Sequence, residues 1–126
     1  MSFTNFLETE ILDHVFAGAA YTAPSTLYLG LFTGAPGEAG GGTELSGSAY
    51  VRKPIAFTTS GDTTSNNAAV EFPTATGSWG TVTHVGVFDA STSGNLMVYA
   101  TLTASKTVAS GDVFRVPSGD LDITLN

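Results

Sequence analysis

The sequence predicts a mainly β protein: an antiparallel β-sandwich or jelly roll of about seven or eight strands with one N-terminal α-helix. Three observations predict it. From Trp79 to Leu102, two β-branched and aromatic runs flank a short Ser/Thr/Gly turn, the pattern of a hairpin. Other short apolar runs recur at roughly 8–12-residue spacing, punctuated by Gly, Pro, Ser and Asp. The tripeptide Ser-Gly-Asp occurs at Ser60, Ser110 and Ser118, where Gly supplies positive φ and Ser and Asp bond the local backbone. These are strand-joining turns rather than a long repeat.

The helix is expected over Ser2 to Phe16. Phe3, Leu7, Ile11 and Val15 recur every four residues, and Phe6 and Leu12 widen the stripe. Ser2 is placed to cap the start, Glu8 and Glu10 suit the macrodipole, and Gly18 is a stop. Such an apolar helix must cover the end of a sandwich or dock on a neighbour. Residues 1–18 are thus a helical segment and 25–126 the sandwich, within a single domain. Ala19 to Pro24 links them.

Ser25 to Thr33 reads as the first strand, with Leu27, Leu29 and Leu31 on one face and Tyr28 and Phe32 on the other; a strand apolar on both faces belongs inside a sheet. Gly34 to Ser48 is the longest irregular stretch, its glycines implying either mobility or ordering by a partner. Tyr50 to Phe57 follows, and Pro54, lacking a backbone donor, puts that strand at an edge or a bulge. Ser60-Gly61-Asp62 turns the chain. Ala69 to Phe72, Lys106 to Ala109, Asp112 to Val116 and Leu121 to Leu125 are further short strands. In the last, Leu121, Ile123 and Leu125 are expected inward.

Composition removes several function classes. The chain has 126 residues, 12% of them charged, with four basic against eleven acidic residues. Average proteins carry about 25% charged residues, so part of this surface is expected under a partner. Only Arg52 and Lys53 are adjacent bases, which argues against binding nucleic acid or an anionic membrane. The absence of cysteine removes disulfides and thiolate metal sites. No apolar run approaches the roughly 20 residues of a membrane span, and no basic-then-apolar leader is visible. The chain is therefore expected to fold in the cytosol.

Candidate chemistry is thin. His14 and His84 have no spacing that converges them on a metal, so each reads as a core or contact histidine. Asp112, Asp120 and Asp122 lie near turns, where acids are solvated or bond the backbone; they lack the rest of a calcium loop. No Gly-x-Ser-x-Gly elbow or phosphate-cradling loop is present. Trp79, Tyr28, Tyr50 and Tyr99 are aromatics of the kind on which a sugar stacks in a carbohydrate-binding module, though strand aromatics more often pack. No catalytic, cofactor or metal-ligating residue is assigned, and no enzyme activity.

The stretch Trp79-Gly80-Thr81-Val82-Thr83-His84-Val85-Gly86-Val87-Phe88-Asp89-Ala90 resembles the signature of a family of small virion proteins of tailed bacteriophages and prophages, often labelled tail fibre proteins. Leu27-Tyr28-Leu29-Gly30-Leu31-Phe32-Thr33, the segment from Gly41 to Gly47 before Tyr50-Val51-Arg52, and the tail from Ser105 through Asp112 to Ile123 also match. In size and β content the chain is similar to jelly-roll cement proteins that decorate capsids. The resemblance implies a virion structural protein, assembled in the host cytoplasm. One compact domain without repeats suits capsid decoration, bridging subunits of the major capsid protein as a homo-oligomer; a tail or fibre-associated component is the alternative. The expected contact surfaces are the helix and the glycine loop, through Phe3, Phe6, Leu7, Ile11, Pro36, Glu38, Thr43, Glu44, Tyr50 and Arg52.

Overall fold

The structure is a computed structural model that describes residues 1–125. Residue 126, the end of the expected sandwich segment, lies outside the described residues. In chain order the elements are β1 (Ser2–Phe3), α1 (Asn5–Phe16), β2 (Leu27–Gly34), β3 (Thr43–Glu44), β4 (Lys53–Ile55), β5 (Phe57–Ser60), β6 (Thr63–Asn66), β7 (Val70–Glu71), β8 (Gly80–Phe88), β9 (Leu96–Val108), β10 (Arg115–Val116) and β11 (Asp122–Thr124). The fold is mainly β with one helix, and all strand pairs are antiparallel.

A six-stranded sheet runs β1-β9-β8-β2-β3, with β4 also on β2; β11-β6-β5 and β10-β7 form smaller sheets. The main core lies between them. Leu29, Leu31, Val85, Val87 and Val98 come from the large sheet, and Val70, Phe72, Trp79, Phe114 and Val116 meet them from the other side. This is the sandwich expected from sequence, with eleven strand segments in place of seven or eight. The count differs because several segments are pairings of two or three residues. Lys106 to Ala109 is not a separate strand: β9 runs unbroken through Lys106, with a register shift where Thr101 faces His84 and Lys106 faces Val82.

Strand β2 is interior to the sheet, between β8 and the β3/β4 pair, as its two apolar faces require. Its outer face is covered at short range. Gly30 pairs with Gly86, and Phe32, Phe88 and Leu96 form a second cluster beside them. A Cβ on Gly86 would lie 2.6 Å from Leu96 Cδ1 and 2.9 Å from Phe32 Cε1; one on Gly30 would lie 2.8 Å from Phe88 Cε2. The paired glycines therefore leave the space in which large side chains lie flat on the sheet, with Phe32 and Phe88 stacked 5.9 Å apart. Gly86→Ala is expected to destabilise the fold by about 1–3 kcal/mol through overpacking, read by urea denaturation. An unchanged midpoint would contradict that packing.

The N-terminus departs from expectation. Ser2 and Phe3 pair with Tyr99 and Val98 as a strand, so Thr4 rather than Ser2 caps the helix. Buried Thr4 Oγ1 accepts from Leu7 N–H and donates to Leu96 O at 2.6 Å, tying α1 to β9. Gly18 ends the helix as expected, at φ +73°, and the N–H groups of Ala17 and Ala19 both reach Asp13 O. The apolar stripe divides. Phe6, Leu7 and Ile11 are half-buried, whereas Leu12, Val15 and Phe16 are exposed, and no residue of α1 is fully buried.

Pro54 lies in edge strand β4 opposite Tyr28, as its missing donor demands. Strand β6 is polar and was not expected. It is fixed by buried Asn66, whose Nδ2 donates to Ala68 O and Pro117 O while its Oδ1 accepts from Leu121 N–H. In the last strand Leu121 and Ile123 pack on the core, but Leu125 is exposed, because β11 ends at Thr124.

Candidate interaction surface

The expected contact residues fall into two groups, one engaged within the chain and one facing out. Arg52 organises the first. Its Nε and Nη2 grip both carboxylate oxygens of Glu44, each at 2.8 Å, in the two-pronged geometry that a guanidinium allows. Its Nη1 donates to Ala90 O at 2.9 Å and Ser93 O at 2.8 Å. Its Cζ lies 3.4 Å from the Phe88 ring centroid, a cation–π contact. The Arg52 side chain is only 9% exposed and that of Glu44 23%. Five segments meet here: β3, the strand approach at Tyr50–Arg52, the end of β8, and both sides of the β8–β9 turn.

That turn is itself closed by Asp89, whose carboxylate accepts from Asn95 N–H and Nδ2 at 2.7 and 2.9 Å. Tyr50 extends the network. Its hydroxyl donates to Glu44 Oε2 at 2.7 Å and accepts from Leu31 N–H at 3.0 Å. Burial, and then the bond to Glu44, hold its phenol well above the usual tyrosine range. A pKa raised on folding contributes stability that is fully present below the unfolded value, about 10, and is lost as pH rises through the folded one. Stability is therefore expected to fall on the alkaline side of about pH 10, and Tyr50→Phe to flatten that fall. Equal alkaline slopes in the two proteins would contradict it.

The long glycine stretch is ordered largely by its own chain. Gly37 and Gly40 form a mutual bridge, β3 pairs with β2, and Pro36 is buried. Glu38 O accepts from Asn5 N–H at 2.8 Å, and Glu38 Oε1 accepts from Tyr99 OH at 2.9 Å. The other expected residues stand as follows. Phe3 is half-buried in β1, Phe6, Leu7 and Ile11 are half-buried on α1, and Glu38 and Thr43 are exposed. Sequence reasoning missed Leu12, Val15 and Phe16 as outward-facing side chains, at 57%, 61% and 80% exposure. Their spacing on α1 was visible, but not which side of the helix the sheet would take.

The histidines hold local bonds, His84 Nδ1 with Thr83 Oγ1 at 2.8 Å and His14 Nδ1 with Ala19 O at 3.0 Å. The acids also serve structure: Asp112 Oδ2 accepts from Ala109 N–H at 2.9 Å, and Asp122 accepts from Ser65 Oγ. The sugar-stacking set is dispersed. Trp79 is 6% exposed, sits edge-on to Tyr50, and donates from Nε1 to Ser48 O at 2.9 Å. Trp79 is thus buried in the core, and Tyr50 stacks on Phe72 and meets the Trp79 ring.

Over residues 2–124 the sequence matches the family described as Podophage GP4 fiber I protein gp80. The chain belongs to that family. As a member of the gp80 fiber I family it is a structural protein of a bacteriophage, with a location in the virion. The match spans the β8–β9 hairpin, the Arg52 cluster and α1 together. A comparison with curated proteins finds no match.

Proposed function

We propose that the chain is a fibre-associated structural module of a phage tail, joined to other virion proteins through surfaces that include the exposed residues Glu38 and Thr43. The single observation that carries this reading is the match of residues 2–124 to a family described as a fiber protein. Capsid cement, with the major capsid protein as partner, was the first expectation from sequence. It rested on compact size and on a glycine loop awaiting a partner. The family description favours the fibre alternative, and the loop already has partners in β2, Asn5 and Tyr99.

The physical character of the module suits a load-carrying part. The sheet is packed on both faces, and the Arg52 cluster ties strand ends to turns that would otherwise be independent. Immunogold labelling of intact virions with antibody to this chain is expected to mark the tail or its fibres. Gold over the head surface alone would overturn the fibre assignment and restore capsid decoration.

A further inference from the structure

Among the described residues, two surfaces have no intramolecular use, and they complement each other. The first is the outer side of α1. Leu12, Val15 and Phe16 are exposed there. The charged groups flanking them, Glu8 and Asp13, are both acidic and exposed, and the sequence has no Lys or Arg before Arg52. Apolar side chains rimmed by acids, with His14 bonded to Ala19 O as the other titratable neighbour, call for an apolar partner surface rimmed by bases.

The second is a cleft of about 440 Å³ along β9, floored by Leu102, Phe114, Val116 and Leu121. Lys106 and Arg115 line it. The whole chain has four basic residues, and Arg52 is consumed by Glu44, so the cleft holds two of the remaining three. Among the described residues neither Lys106 nor Arg115 makes an ion pair, although Glu71 stands opposite Arg115 in register. Of the two acids at the cleft, Asp122 is bonded to Ser65 and Asp120 is exposed.

We infer that the cleft receives the outer face of α1 from a second copy of this chain, with Leu12, Val15 and Phe16 on the apolar floor and Glu8 and Asp13 facing Lys106 and Arg115. Both surfaces are open in the same molecule, so neither fills the other within one chain. Helix α1 starts where Thr4 bonds Leu96 and Met97, whereas the cleft lies further along β9. The contact is therefore head-to-tail: each copy gives a helix to one neighbour and a cleft to another, which yields a closed ring or an open string. Pairing of helix with helix is disfavoured by the same logic, since it would set acid against acid. This inference does not depend on where in the virion the chain sits.

Sedimentation of the purified chain tests it. Two variants each remove one surface: Leu12→Asp with Phe16→Asp, and Lys106→Glu with Arg115→Glu. All four positions are exposed, and circular dichroism checks that each variant folds. The native chain is expected to sediment as species that grow with concentration and shrink with added salt. Each variant alone is expected to be monomeric. Mixed one to one, they retain one intact cleft and one intact helix between them, and are expected to form dimers and nothing larger. A native chain that is monomeric at every concentration, a folded variant that still assembles alone, or a mixture that stays monomeric would each overturn the proposal.

Discussion

Replacing Arg52 by alanine is expected to lower the stability of the fold by about 3 kcal/mol, the low end for breaking a buried ion pair. The low end applies because Glu44 retains 23% exposure and keeps the Tyr50 hydroxyl as a donor. The loss has three sources. Glu44 is left partly buried without its bidentate partner, Ala90 O and Ser93 O lose their donor, and the Phe88 face loses the guanidinium stacked on it. For a chain of this length that corresponds to a fall in Tm of about 10 °C. Lysine at this position is expected to recover little, because a point charge cannot reproduce the planar fork that reaches two carboxylate oxygens and two carbonyls. Calorimetry of both variants measures this. An alanine variant within about 0.5 kcal/mol of the native chain, the range of ordinary surface substitutions, would show that the cluster is peripheral.

Trp79→Ala is expected to cost about 3–5 kcal/mol, the range for removing a large buried aromatic. The indole fills the core between Tyr50 and the sheet, and its Nε1 holds Ser48 O, which anchors the loop leading to the Arg52 cluster. The variant leaves a cavity and removes one of the two donors to Ser48 O, which keeps the Thr76 N–H at 3.1 Å. Urea unfolding reads the effect. A fully stable Trp79→Ala chain would mean that the residue is kept for surface binding, and would reopen the carbohydrate reading that its burial closes.

The fold was legible where one strand face is uniformly apolar. Leu29 and Leu31, and Val85 and Val87, alternate with the residues of the glycine face, and that alternation marks β2 and β8 without further help. Pro54 and Gly61 carry their own backbone chemistry, and the edge and the turn that they require are both present. Polar or very short strands were not legible. In β6, Thr63–Asn66 holds its place through hydrogen bonds of Asn66 to residues more than fifty positions away, and nothing local announces them. The helix shows a third limit. Its apolar spacing was clear, but the stripe spans two sides, and only tertiary structure decides that Leu7 turns inward while Phe16 turns out.

The candidate surface was legible in its residues more than in their roles. Glu44, Tyr50 and Arg52 were singled out as partner contacts, and the structure engages all three with one another and with Phe88, Ala90 and Ser93. A chain with only four bases makes each one conspicuous. Whether such a base faces a partner or its own fold depends on which turn comes to meet it, and that is set by the β8–β9 hairpin some forty residues later.

A cryo-EM reconstruction of the intact virion tests the fibre assignment most directly. Density fitting the six-stranded sheet, with α1 at its side, is expected at the tail or its fibres. The same density found only on the capsid lattice would contradict the account.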